Sequence, residues 1–176
     1  MFQNCSANYC NQRGFSLIEV LISLLVLAVG LLGLGGLQVA SLKGASNAHS
    51  RNVATMAAME LADRMRANPL GVSGGFYGNE VSCTGGKACR RNTYCTPQEV
   101  AAFDIQEVMC GMKRGTKREG GIKNLLINGT LDISCNAGCT ANKAVHNITI
   151  SWGEKIIHPQ LDENDATKTL TLSVMP

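Results

Sequence analysis

The stretch RGFSLIEVLISLLVLAVGLLGLGGLQ, residues 13 to 38, decides how this chain is organised. From Val20 to Leu37 it contains 18 residues without a charge, and a helix that crosses a membrane needs about 20 apolar residues. One carboxylate, Glu19, lies at its start, although an ionisable group inside a membrane is costly and usually functional. The stretch therefore predicts a membrane segment that does more than anchor the chain.

A cleaved secretory signal is the alternative interpretation of the same stretch. Such a signal has an apolar core of about 7–15 residues and ends at a small-residue site of the A-x-A type. The run here is longer, and its end offers only the weak candidate VAS at residues 39 to 41. We therefore expect the segment to remain on the mature protein.

The residues that open the run carry a family resemblance. Arg13 and Gly14, followed by FSLIEVLISLLVLAVG with Glu19, resemble the class III signal of type IV prepilins. The resemblance implies that a prepilin peptidase cuts between Gly14 and Phe15 and that Phe15 is N-methylated. It also implies that Glu19 pairs with the terminal amine of a neighbouring subunit during docking. The alternative is that Glu19 lies at the membrane interface as a favourable charge at a helix N-terminus.

The apolar run is predicted to continue as one helix from Phe15 to about Ala67. No proline occurs before Pro69, and apolar residues keep helical spacing beyond the membrane segment. These residues are Leu42, Ala45, Val53, Met56, Ala57 and Leu61. Because each glycine inside a helix costs about 1 kcal/mol relative to alanine, GLLGLGG at residues 30 to 36 is the expected place for a bend.

The eight cysteines are divided by the apolar run. Cys5 and Cys10 precede it, and the resemblance leaves them on the cytoplasmic side with the leader. Six follow it and are the disulfide candidates: Cys83, Cys89, Cys95, Cys110, Cys135 and Cys139. This number in a small domain predicts disulfides and an oxidising compartment. The alternatives are reduced thiols or zinc at the C-x3-C pair, but no second close pair or His pair completes a zinc signature.

The downstream residues predict a small mixed head. Residues 70 to 95 are expected to form a loop, and TPQE at 96 to 99 predicts a capping box that begins a second helix ending near Met112. A helix of this length would hold Cys95 and Cys110 about 22 Å apart, so these two cannot pair. Three alternating runs, TLDISC, HNITISW and TLTLSV, predict strands, and IKNLLI at 122 to 127 is a weaker fourth.

Several motifs together resemble one branch of the prepilins. IEVL, LAVGLLGLGGLQ, ADRMRANP (62 to 69), CTPQEVAAFD and NITISW are similar to the PilV family of minor pilins, the type IV pilus modification proteins. The implied fold class is α+β, a type IV pilin fold with a long N-terminal helix, a small antiparallel β-sheet head, one additional helix and disulfides. The implied protein is a non-enzymatic component of the pilus tip and priming complex, which supports pilus biogenesis, twitching motility and adhesion.

The same resemblance sets out the parts of the chain and their surroundings. The expected parts are a leader (1–14), a transmembrane and polymerisation half of the helix (15–40), an amphipathic half (41–69) and a disulfide-containing head (70–176). The expected partners are the prepilin peptidase, other minor pilins, the major pilin, a tip adhesin and the bacterial inner membrane. The leader is expected in the cytoplasm before cleavage, the head in the periplasm, and the assembled protein in the pilus tip or fibre.

Two other functions fit parts of the sequence. A minor pseudopilin of type II secretion would share the leader, the helix and Glu19, although ADRMRANP argues against it. A DNA-binding minor pilin would use the basic residues Lys113, Arg114, Lys117 and Arg118, preceded by Lys87, Arg90 and Arg91. The net charge of +3 and the lack of interleaved aromatics make nucleic acid an unexpected partner.

Catalytic and metal-binding motifs are not apparent. The sequence contains no nucleophile elbow, P-loop, H-E-x-x-H or dinucleotide fingerprint. Its three histidines, His49, His146 and His158, are scattered without the spacing of a metal site or a catalytic triad. We therefore expect no enzyme activity, no cofactor and no metal.

Overall fold

Helix α1, Leu17–Ala67, is the first element of the computed structural model. The structure describes residues 14–78, 82–90, 93–136, 139–140, 144–154 and 167–176. Most of the predicted leader, with Cys5 and Cys10, lies outside the described residues. The chain divides into two compact units, Met1–Gly44 and Ala45–Pro176. Helix α1 is unbroken at the four glycines between residues 30 and 36.

The part of α1 in the second unit buries a face that matches the predicted one in part, since Leu61 is buried and Val53 and Ala57 are partly buried against the core. Its buried residues are Ala54, Ala58, Leu61, Ala62 and Met65. Met56 and Leu42 were also expected on the packed face, but each is 71% exposed. Because alanine side chains are small, the face that they form lets neighbouring elements approach the helix closely.

The segment after α1 is partly helical, although a loop was predicted there. Helix α2 spans Pro69–Ser73, and a 3-10 helix spans Phe76–Gly78. Asn68 begins this arrangement, because its side-chain oxygen accepts a hydrogen bond of 3.1 Å from the Gly71 N–H. Its side-chain nitrogen donates to the carbonyl of Pro97 at 2.9 Å. One buried amide side chain therefore joins the end of α1, helix α2 and the next helix.

Helix α3, Pro97–Cys110, begins at the predicted capping box. The Glu99 N–H donates to the Thr96 hydroxyl at 3.3 Å, and the Thr96 N–H donates to the Glu99 carboxylate at 2.8 Å. The backbone N–H of Thr96, and after it the Lys87 ammonium, lowers the pKa of Glu99. The helix ends at Cys110, two residues before the predicted end, because Gly111 adopts a φ of 82°.

A short hairpin follows α3. Strands β1 (Met112–Arg114) and β2 (Lys117–Glu119) pair antiparallel. At the base of the hairpin, Gly111 and Gly121 both have positive φ, and a side chain on either would collide with the backbone of the other segment. The weaker strand prediction at IKNLLI was wrong, since Ile122–Leu125 forms the single-turn helix α4.

The three clearly alternating runs form one antiparallel sheet in the order β3-β4-β5. Its strands are β3 (Ile127–Cys135), β4 (His146–Gly153) and β5 (Thr167–Val174). Every second residue of the central strand β4 is buried, starting with His146 and ending with Trp152. Ile148 and Ile150 of this strand belong to one buried cluster with residues of α1, α3 and α4. The type IV pilin α+β fold class is therefore confirmed, and the described residues contain two short α-helices and a 3-10 helix in addition to the two predicted helices.

The six downstream cysteines form three disulfides in this unit, as predicted. The pairs are Cys83–Cys110, Cys89–Cys95 and Cys135–Cys139. Cys95 and Cys110 therefore each have a different partner, as the length of the helix between them requires. The first two bonds bracket α3, and between them Gln106 donates hydrogen bonds to the carbonyls of Ser82 at 2.6 Å and Gly85 at 3.0 Å. The segment from 82 to 90 thus lies along α3.

Candidate functional site

The first candidate site is the N-terminal part of α1, where every residue from 14 to 42 is exposed. The large apolar side chains there range from 48% exposure at Val20 to 84% at Phe15. The most apolar window of the helix has a mean hydropathy of 2.7, so α1 is long and apolar enough to cross a membrane. Exposed apolar surface beyond a few hundred Å² marks a protein or membrane interaction site. This segment therefore needs a membrane or other subunits around it.

The predicted processing and docking residues lie at the beginning of this segment. Gly14 and Phe15 precede α1, and Glu19 lies in its first turn. The Glu19 backbone N–H donates to the Ser16 carbonyl at 3.0 Å, and the Ser23 hydroxyl donates to the Glu19 carbonyl at 2.7 Å. Within the described segments, no cation lies within ion-pair distance of the Glu19 carboxylate. The docking role of this carboxylate stays a prediction.

A second feature is a polar network in the head that sequence reasoning missed. Arg64, near the end of α1, forms ion pairs with Glu60 at 2.7 Å, Asp104 at 3.1 Å and Glu107 at 3.1 Å. The other oxygen of Asp104 accepts a hydrogen bond of 2.7 Å from the hydroxyl of Tyr77. Tyr77 is fully buried, and burial together with the Asp104 carboxylate raises the pKa of its phenol. The network fixes the end of α1 to the 3-10 helix and to α3.

The network gives a structural role to two of the sequence motifs. ADRMRANP contributes Arg64 and Asn68, and CTPQEVAAFD contributes the capping box and Asp104. Asn68 reaches the same cluster, because its amide nitrogen donates to the Tyr77 hydroxyl at 3.3 Å. The charges in both motifs were the available signal, since an arginine and an aspartate require partners when they are buried. These motifs position the parts of the head relative to one another.

The basic residues proposed for DNA contact come together on the β1–β2 hairpin. Lys113 pairs with Arg118 and Arg114 with Lys117 across the two strands. Arg118, however, donates to the backbone carbonyls of Cys83 at 3.1 Å and Gly111 at 2.9 Å, and Arg114 lies 3.5 Å from Glu119. Two of the four cations therefore already have partners in the head, Arg118 on backbone carbonyls and Arg114 in a surface ion pair.

The preceding basic residues are also engaged where they are described. Lys87 forms an ion pair with Glu99 at 2.9 Å, and Arg90 forms one with Glu107 at 2.7 Å. Arg91 lies outside the described residues. The cations of this cluster thus serve the packing of the 82–90 segment against α3.

We expect the hairpin to bind duplex DNA weakly or not at all, because two of its four cations already have partners within the head. The test compares the unmodified chain with the Lys113→Ala/Lys117→Ala variant, measuring DNA affinity at several salt concentrations. Each phosphate that the variant no longer neutralises would lower the salt dependence of binding by about one unit on a logarithmic plot. Equal and negligible binding by both proteins is the expected result. Salt-sensitive binding by the unmodified chain alone would instead establish a DNA contact.

Comparisons with known families match two consecutive segments in the first part of the chain. A family model described as the prokaryotic N-terminal methylation motif matches residues 9–35. A second model, described as type IV pilin Tt1218, matches residues 36–106, a range that includes α2 and the motif ADRMRANP. No curated protein and no solved structure gave a significant match.

Proposed function

Because the chain is a type IV pilin, with a prepilin methylation motif followed by a type IV pilin domain, we propose that it is a minor pilin of the PilV family. In this proposal it is a structural protein without catalytic activity, held in the bacterial inner membrane until it joins the pilus. It then takes part in the priming or tip complex with other minor pilins, the major pilin and a tip adhesin. Pilus biogenesis, twitching motility and adhesion depend on that complex.

The exposed apolar segment from 14 to 42 carries this proposal. A pilin subunit must occupy two apolar environments in turn, the bilayer before assembly and the core of the fibre after it. A helical segment with every residue exposed in the described structure suits both, since its apolar side chains can be covered by lipid or by neighbouring helices. A pure membrane anchor would not need the carboxylate of Glu19 at its start.

Processing at the start of the segment is the next part of the proposal. The peptidase removes residues 1–14 on the cytoplasmic side and methylates Phe15, which creates a positively charged amine four residues before Glu19. We assign the mature segment 15–40 to the membrane and polymerisation, residues 41–69 to the amphipathic half of the helix and residues 70–176 to a periplasmic head. The three disulfides support the periplasmic assignment, because disulfides persist in oxidising compartments.

Deleting the gene for this chain tests the assignment to the pilus. We expect surface pili and twitching to fall strongly, because a priming subunit is needed before the major pilin can polymerise. The measurement is the number of pili per cell by electron microscopy, with the distance travelled on agar as a second readout. Restoring the gene on a plasmid should restore both, and labelled antibody against the head should mark pilus tips.

The same strain separates the proposed minor pilin from a type II pseudopilin. Normal pili together with a loss of protein secretion into the medium would contradict our proposal and favour the pseudopilin. Intact-mass spectrometry of the protein from membranes adds a direct check on processing. The expected mass lacks residues 1–14 and includes one methyl group, whereas an uncut N-terminus would overturn the processing step.

A further inference from the structure

The disulfide Cys135–Cys139 lies against a histidine that the proposed function does not use. Cys135 ends strand β3, and in the register of the sheet it pairs directly with His146, the first residue of β4. A ring nitrogen of His146 and the two sulfur atoms lie within 4.8 Å of one another. Both cysteines are half-buried, whereas His146 is only 1% exposed.

The hydrogen bonds of His146 leave one nitrogen available. Its Nδ1 lies 3.1 Å from the carbonyl oxygen of Ala144. Because a carbonyl can only accept, Nδ1 carries the proton, and Nε2 of the neutral ring then holds a lone pair. Nε2 is buried and has no hydrogen-bond partner among the described residues. An imidazole that donates one N–H to a backbone carbonyl and presents its other nitrogen is the usual form of a metal-binding histidine.

A second buried polar atom lacks a partner among the described residues, but it cannot bind a metal. It is Nε1 of Trp152, and an indole N–H is only a donor. Space beside the sulfurs is also maintained by glycine, because a side chain on Gly78 would approach the Cys139 sulfur to 3.2 Å. His146 is therefore the residue whose buried ring nitrogen can act as a metal ligand beside the two sulfurs.

We propose that Cys135, Cys139 and His146 form a redox-dependent site for a thiophilic divalent cation such as Zn²⁺. In the oxidised protein the two sulfurs form the disulfide. In the reduced protein both thiolates and the His146 Nε2 bind the metal, and solvent supplies the fourth ligand. Zinc bonds of about 2.3 Å to sulfur and about 2.0 Å to nitrogen place neighbouring ligands roughly 3.5–3.8 Å apart. Opening the disulfide lets the two sulfurs move apart to this distance, while the His146 ring nitrogen, which lies within 4.8 Å of them, moves closer.

The conversion between the two states is a two-electron reduction followed by metal binding. A dithiol, the class of reductant that drives thiol–disulfide exchange, gives two electrons and two protons to the Cys135–Cys139 bond and becomes a disulfide itself. The two thiols then release two protons as their sulfurs bind the cation, while the neutral imidazole contributes its lone pair without losing a proton.

Loop length makes this disulfide the least costly of the three to open. Its cysteines are 4 residues apart, compared with 27 for Cys83–Cys110. In the chain-entropy account, closing a longer loop stabilises the folded state more. The sheet register that brings Cys135 to His146 also comes from backbone pairing along β3 and β4, and it does not require the disulfide.

The test uses the complete mature protein in detergent, reduced with a dithiol, freed of reductant without oxygen and divided into samples with and without Zn²⁺. Alkylation of each cysteine is followed over time by peptide mass spectrometry. We expect Zn²⁺ to slow alkylation of Cys135 and Cys139 at least tenfold. Cys89 and Cys95 are the control in the same molecule, because they form an equally short-range pair without a histidine beside them in the described residues. Their alkylation should not change.

A His146→Gln variant should lose the protection, and its thermal unfolding reports whether it folds. X-ray absorption of the unmodified zinc-loaded protein gives a measurement that needs no variant, with a shell of two sulfurs and one imidazole expected. Equal protection of both cysteine pairs, or full protection in a folded His146→Gln variant, would overturn the proposal. A zinc shell without nitrogen, or with more than two sulfurs, would also overturn it.

Discussion

Replacing Glu19 with alanine is expected to abolish incorporation of the subunit into the pilus while leaving cleavage and membrane insertion intact. The structure places this carboxylate in the first turn of an exposed apolar helix, without a cation near it in the described residues. A carboxylate that enters an apolar fibre core without a partner is strongly unfavourable. The methylated amine of a neighbouring Phe15 would supply that partner.

The expected loss of docking affinity is large because the ion pair forms in an environment of low dielectric constant. Two opposite unit charges 4 Å apart attract by about 4 kcal/mol at an effective dielectric constant of 20, compared with about 1 kcal/mol in water. A subunit without the carboxylate leaves the neighbour's amine unpaired, so its docking would weaken by roughly a factor of 1,000. Incorporation is measured as the ratio of protein in sheared pili to protein in membranes.

Two further variants identify the role of the charge. Glu19→Gln keeps the shape of the side chain and should fail as the alanine variant does. Ser23→Ala removes a neighbouring polar group, whose hydroxyl donates to the Glu19 backbone carbonyl, and should be incorporated normally. Normal incorporation of Glu19→Gln would show that the charge is not required for docking.

The second large effect is expected in the head, where Asp104→Ala should lower the free energy of unfolding by about 3 kcal/mol. The substitution removes the acceptor of the buried Tyr77 hydroxyl and one ion-pair partner of Arg64. Removing one member of a buried pair typically costs about 3–5 kcal/mol, and the lower end applies because the Arg64 side chain is 25% exposed. The midpoint of thermal unfolding should fall by roughly 10 °C.

Asp63→Ala is the matched control, since it also removes an aspartate that is paired with an arginine. The Asp63–Arg66 pair is on the surface, with side-chain exposures of 75% and 54%, and such pairs contribute about 0–1 kcal/mol. A cycle with Tyr77→Phe should give a coupling of about 1 kcal/mol between Tyr77 and Asp104. Equal stability of the two aspartate variants would contradict a structural role for the network.

The sequence predicted correctly the elements that depend only on residues close to one another in the chain. The capping box at Thr96 and Glu99 is formed by neighbours in the chain, so TPQE predicted the start of α3 correctly. Strands β3, β4 and β5 have one buried and one exposed face, which produces the alternation seen in the sequence. The membrane segment needed only its length and hydropathy.

The elements that the sequence did not reveal depend on tertiary contacts. Helix α2 has only five residues, and its start depends on Asn68 reaching Gly71 and Pro97. IKNLLI is too short for its pattern to distinguish a strand from a helical turn. On α1, alanines carry most of the buried face, and alanine gives a weaker periodic signal than the exposed Met56.

The sequence also did not reveal the polar residues that meet only in the folded structure. Arg64 and Asp104 are 40 residues apart and meet only because α1 and α3 pack together. His146 appeared isolated in the sequence, and only the register of β3 with β4 brings it to Cys135. Gly14, Phe15 and Glu19, in contrast, act within one short motif, which is why a family resemblance could identify them.

The two disulfides that bracket α3 have a mechanical consequence. Cys83 is bonded to Cys110 at one end of the helix, and Cys89 is bonded to Cys95 just before the other end. The six peptide units from 83 to 89 can reach about 20–22 Å at full extension, and the helix beside them is itself about 20 Å long. Under tension a helix lengthens by breaking its hydrogen bonds, but the 83–89 segment and its two disulfides limit the distance that can separate Cys95 from Cys110. The segment therefore acts as a tether that limits how far α3 can be stretched when force is applied to the head.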